Sequence, residues 1–67
     1  MNKLAQRRKQ LGLSQSELAT LVGVGMQTIS NYERKQGDDY LDSMSLGVVK
    51  KLSKSLLVDI DYLIEGE

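Results

Sequence analysis

The sequence has 67 residues, with nine Lys and Arg against nine Asp and Glu, so a single domain, 1–67, with a modest core is expected, and size alone favours a dimer. It contains no Cys and no His, which removes disulfides, thiolate and imidazole metal ligands, and the commonest nucleophile and base of enzymes; no enzyme activity and no cofactor are expected. No apolar run approaches a membrane span, which points to a soluble intracellular chain, and a net charge of zero, taken alone, speaks against nucleic acid.

Residues 2 to 11 are expected to form a first helix, with Leu4, Ala5, Arg8 and Leu11 on one stripe, Lys3, Arg7, Lys9 and Gln10 outside it, and Gly12 as its stop. Arg8 is the odd member of that stripe. A guanidinium on a buried side needs a partner, and Glu33, on the inward side of a later helix, is the candidate; the alternative is that Arg8 snorkels to water beside Leu4 and Leu11. Ser14 followed by Glu17 is a capping box, with Leu13 and Leu18 as its hydrophobic staple, so a second helix starts at Gln15. Leu18, Ala19, Leu21 and Val22 form its expected buried stripe, and Gly23 supplies the left-handed stop. After a turn over 23–25, a third helix starts near Met26 with Gly25 as a weak N-cap, burying Ile29, Tyr32 and the stem of Glu33. At about 100° per residue, Gln27, Asn31 and Arg34 project outward. Two short helices joined by a Gly-bearing turn, with amide and guanidinium groups along the second, make a helix-turn-helix suited to a DNA major groove.

Residues 36 to 44 show no clear period and carry Asp38, Asp39 and Asp42; they read as a loop with at most one helical turn around Tyr40 and Leu41. Residues 38 to 42 formally spell the DDxxD pattern of Mg²⁺-diphosphate enzymes. That chemistry needs a large helical cavity with a second acidic cluster, which this length does not build, so a solvated loop is the reading. Ser45 caps a fourth helix running to about Leu56, with Leu46, Val49, Leu52 and Leu56 on its apolar side and Lys50, Lys51 and Lys54 outside. Asp59 caps a short last helix in which Ile60, Leu63 and Ile64 are apolar, ended by Gly66. Five short helices without strand pattern or repeat predict one all-α domain. Its charge is polarised: residues 1 to 35 hold six cations against two carboxylates, and residues 36 to 67 three against seven. The basic half is the half with the helix-turn-helix, which orients it towards phosphate.

The blocks Leu11-Gly12-Leu13-Ser14-Gln15, Glu17-Leu18-Ala19, Val22-Gly23-Val24, Thr28-Ile29-Ser30, Tyr32-Glu33-Arg34, Lys51-Leu52-Ser53-Lys54, Val58-Asp59 and Asp61-Tyr62-Leu63 occur in linked order over nearly the whole chain. Together they resemble the Cro/CI-type (Xre) helix-turn-helix family of phage repressors and bacterial regulators, in its minimal, Cro-like form. The resemblance implies a compact five-helix, lambda-repressor-like fold with the motif at helices 2 and 3, and a homodimer bound to palindromic double-stranded operator DNA in the bacterial cytoplasm, associated with the nucleoid. By position it places Met26, Gln27 and Asn31 at base contacts, with Thr28 and Ser30 beside them, Ser14 and Gln15 at a phosphate, and Arg8 with Glu33 as an internal ion pair. Three departures stand out. Met26 replaces a reader that is often polar, so it either meets a thymine methyl or packs; the stretch between Glu33 and Leu46 is longer and more acidic than usual; and Leu57 stands where a helix-ending Gly is common.

Weighed on chemistry, Gln27 and Asn31 each offer a donor and an acceptor to adenine, against the bland alternative of a solvated polar face. Arg34 and Lys35 suit the helix dipole in any case and a phosphate besides. Lys3, Arg7 and Lys9 are either phosphate contacts or an ordinary solvated face. Leu57, Val58, Ile60 and Ile64 are more apolar than a last segment needs, which suggests a two-fold surface, because half-sites one DNA turn apart (roughly 34 Å) require a dimer. The function expected is a sequence-specific DNA-binding transcriptional regulator, a repressor acting by occupancy, with neither membrane nor small-molecule substrate as partner. The alternative is a protein-interaction module of the same fold, such as an antitoxin or antirepressor, using the acidic loop and the C-terminal half.

Overall fold

In the computed structural model, which describes residues 2–36 and 39–64, helix α1 spans Lys3–Gln10, α2 Gln15–Val22, α3 Met26–Glu33, α4 Leu46–Leu56 and α5 Ile60–Ile64, with a 3-10 segment at Asp39–Ser43. No strand occurs among the described residues. The starts of α2 and α4 are set by local side-chain caps. Ser14 Oγ accepts from Glu17 N at 3.0 Å while Glu17 Oε1 accepts from Ser14 N at 2.8 Å, completing the capping box; Ser45 Oγ accepts from Val48 N at 3.2 Å. Three helix ends are turned by left-handed residues: Gly12 after α1, Gly23 after α2 (φ 83°) and, without glycine, Leu57 after α4 (φ 58°). Asp59 directly precedes α5, and its carbonyl accepts from Tyr62 N at 3.0 Å. The expected stop at Gly66 and the acidic Asp38 lie outside the described residues.

Helix α2 packs on α3 and α4, α1 on α3 and α5, and α4 on α5. Leu4, Leu18, Val22, Ile29, Tyr40, Leu52, Leu56 and Leu63 are sealed from solvent at the centre. Each such side chain contributes about 1.5–3 kcal/mol through burial, which is what a chain this short needs to hold five helices together.

Three expectations are corrected. Leu21, placed on the buried stripe of α2, is 56% exposed, because it lies about 100° around the helix from the centre of Leu18, Ala19 and Val22. Leu46 is 67% exposed for the same reason, standing about 100° from the mean direction of Leu52 and Leu56, with Val48 packing against the core on the inward side. Tyr40, read as part of a solvated loop, is instead a fully buried core residue whose hydroxyl donates to Leu63 O at 3.3 Å. The helical turn expected around it is the 3-10 segment.

Candidate nucleic-acid interface

Helix α3 is held from beneath. Ile29 is fully buried, and Tyr32 and Glu33 are nearly so. The Glu33 carboxylate accepts from Arg8 Nε at 2.5 Å and Arg8 Nη2 at 3.0 Å, and from Gln15 Nε2 at 3.1 Å, while Arg8 Nη1 donates to Leu13 O at 2.7 Å. One carboxylate thus ties α3 to α1 and to the start of α2. The bond from Glu33 raises the pKa of Arg8 above its ordinary value, outweighing the desolvation that lowers it, so the cation is secure. The turn into α3 is set by Gly23 N and Val24 N, which both donate to Ala19 O, at 2.8 and 3.0 Å. Gly25 is an N-cap without a side chain, so no cap covers the first turn of α3, and Met26 stands there 56% exposed.

The opposite face is open. Gln27, Asn31 and Arg34 are all exposed and linked: Gln27 Nε2 donates to Asn31 Oδ1 at 3.2 Å, and Arg34 Nη2 donates to the same oxygen. These bonds use neither Asn31 Nδ2 nor Gln27 Oε1, which leaves a donor group and an acceptor on adjacent turns of the exposed face. Thr28 and Ser30 are half-buried at the flanks. Along one flank an open groove is lined by Thr28, Asn31, Tyr32, Arg34, Lys35 and Ser43. Ser43 was not singled out from sequence; the 3-10 segment brings it to the end of α3, and no periodic signal marks that return.

At the start of α2, Ser14 is exposed and Gln15 half-buried, the latter held by its bond to Glu33. Backbone N–H groups of the first turn of a helix lack intrahelical partners and favour an anion. Lys3 and Arg7 sit elsewhere. Lys3 Nζ lies 4.5 Å from the centroid of the Tyr62 ring, and Arg7 donates through Nε to Leu56 O at 2.9 Å and through Nη1 to Gln10 Oε1 at 3.0 Å. Lys3 thus meets α5 and Arg7 the end of α4. Around the left-handed Leu57, 73% exposed, an open groove is lined by Lys54, Val58, Asp59 and Tyr62 among others; Ile64 is 48% exposed and Ile60 half-buried.

A family model described as Helix-turn-helix matches residues 4–63, nearly the whole chain. The chain belongs to the Cro/CI-type helix-turn-helix family. Neither a curated protein nor a solved structure matches it. As a member of this family it is a DNA-binding domain of the transcription-regulator kind, and α2 and α3 are its helix-turn-helix. None of its described helices is long and apolar enough to cross a membrane. Asn2, expected as the first residue of the first helix, is instead the buried N-cap of α1, its Oδ1 accepting from Ala5 N at 3.0 Å.

Proposed function

We propose that this helix-turn-helix domain is a repressor that binds a palindromic operator as a homodimer, α3 lying in the major groove. The observation that carries the reading is the division of α3 into two faces. One is fixed to α1 and α2 through Glu33, and the other presents Gln27, Asn31 and Arg34 to solvent. A rigid helix with an exposed amide row is what base reading requires. Met26, Gln27, Thr28 and Asn31 are proposed to meet base edges; Ser14, Gln15, Ser30, Arg34 and Lys35 to meet phosphates. Lys3 and Arg7, engaged with Tyr62 and Leu56, contribute to the positive field of their half more than to a named phosphate contact.

The dimer is proposed to form through Leu57, Val58, Ile60 and Ile64. Support comes from the exposure of Leu57 and Ile64 and from the mixed signs of Lys54, Asp59 and Asp61 around the same groove. An isologous interface must be self-complementary, and a patch that carries both signs offers opposite charges to pair across a two-fold axis. Bound dimers would act by occupancy in the cytoplasm of a bacterial cell. Selection from random duplexes, followed by titration across salt, tests the whole reading: a palindromic consensus with steep salt dependence is expected. Binding that ignores salt and selects nothing would favour the interaction-module alternative.

A further inference from the structure

The end of α3 differs from those of α1, α2 and α4. No left-handed residue follows it at 34, 35 or 36, where Arg34 keeps right-handed backbone (φ −85°, ψ −11°). The last carbonyls of a helix lack α-helical donors; here Lys35 N reaches back to Tyr32 O at 3.2 Å, and a distant side chain adds a second donor to that carbonyl and one to Lys35 O in the turn beyond. Asn2 Nδ2 donates to Tyr32 O at 2.8 Å and to Lys35 O at 3.1 Å, while Asn2 Oδ1 accepts from Ala5 N. Asn2 is only 6% exposed. One amide therefore starts α1 and closes α3, using its acceptor for the first task and both donors for the second. The two carbonyls bracket Arg34, and one of them belongs to Lys35.

On the reading that α3 meets DNA, we propose that Asn2 is a positioning residue for the phosphate-binding end of α3: its amide holds the 32–35 turn so that Arg34 and Lys35 are presented at a fixed height beside Asn31 and Ser43. A serine or a carboxylate serves equally well as the N-cap of α1. Only an amide at this position also donates to two carbonyls, since aspartate accepts alone and serine is too short. The two tasks of Asn2 are thus separable by substitution.

Asn2→Asp keeps the α1 cap and sets a carboxylate against two carbonyl oxygens; Asn2→Ser keeps the cap and withdraws the bridge without adding charge. Amide hydrogen exchange of the full chain without DNA is measured first. Arg34 N and Lys35 N, which donate to Asn31 O and Tyr32 O, are expected to exchange faster in both variants, with Ala5 N protected as before. Affinity for a random-sequence duplex pool is then measured across salt, below the melting temperature of every variant. It is expected to fall about tenfold, with a salt slope shallower by about one phosphate contact and an unchanged selected consensus. A contribution to fold stability alone shifts melting and leaves that slope where it was. Wild-type exchange at 34 and 35, or a wild-type salt slope in both variants, overturns the proposal. If the wild-type chain shows no salt-dependent DNA binding, the DNA reading falls, and the exchange measurement still decides whether Asn2 closes α3.

Discussion

Arg8 and Glu33, twenty-five positions apart, are joined by two hydrogen bonds of 2.5 and 3.0 Å beneath the exposed face of α3. Both side chains are almost fully buried, at 10% and 7% exposure. Removing one partner leaves the other charge stranded, whereas replacing both with apolar groups of similar volume is close to neutral. Glu33→Ala is expected to cost about 3–5 kcal/mol in urea unfolding, and Arg8→Met with Glu33→Leu far less. Equal losses in the single and double variants would mean that packing, not charge pairing, sets the cost.

The pH dependence of that pair follows from the sign of the shift on Arg8. Its pKa is raised by folding above the ordinary guanidinium value, chiefly by the hydrogen bond to Glu33, so its contribution to stability is fully present below that ordinary value and is lost only as pH rises through the higher folded one. Between neutral pH and about pH 10, titration of Arg8 is expected to leave stability unchanged. An unfolding midpoint that differs between wild type and the Arg8→Met, Glu33→Leu double variant, which strands neither charge, by an amount that varies over that range would contradict it.

Gln27 and Asn31 share a hydrogen bond and are solvent-exposed. Gln27→Ala and Asn31→Ala are each expected to relax preference at one or two operator positions by about 1–3 kcal/mol and to leave melting unchanged. Because Arg34 donates to the same Asn31 oxygen, a double-substitution cycle between Arg34 and Asn31 is expected to be non-additive. Selection of the same consensus by the Gln27/Asn31 double variant would remove the base-reading role.

Lys35 and Arg7 are separated by their surroundings. Lys35 is exposed beside the α3 groove, and Arg7 is bonded to the last carbonyl of α4. Lys35→Ala is expected to lower affinity for all DNA and reduce the salt slope by about 0.9, at constant stability. Arg7→Ala is expected to lower stability by about 1 kcal/mol through the lost bond to Leu56 O, with a smaller effect on the slope. Reversed behaviour of the two would move the phosphate surface to α1.

Leu57 holds a left-handed backbone with its side chain 73% exposed. That conformation costs a branched L-residue about 1–2 kcal/mol, partly offset in Leu57→Gly by the entropy of glycine in the unfolded chain. Leu57→Gly is expected to stabilise the monomer by up to about 1 kcal/mol and, by deleting an apolar contact of the proposed two-fold surface, to weaken dimers in sedimentation. Dimerisation equal to wild type would place the interface elsewhere.

How much of this protein is legible in its sequence depends on the reach of each interaction. The capping box at Ser14 and Glu17, the Ser45 cap, the left-handed Gly23 and the two faces of α3 are relations within one or two helical turns, where spacing alone dictates geometry. The ion pair of Arg8 with Glu33 was also readable, because an inward charge on each of two helices admits few other solutions. Packing decided the remainder. Tyr40 enters the core from a segment without periodicity; Leu21 and Leu46 are left outside because neighbouring elements cover only one arc of each helix. Arg7 turns to a carbonyl 49 positions away, and Asn2 to carbonyls 30 and 33 positions away. A backbone carbonyl has no residue identity, so a side chain that will bond to one leaves no signature in the order of amino acids; only the assembled helices bring the two within reach.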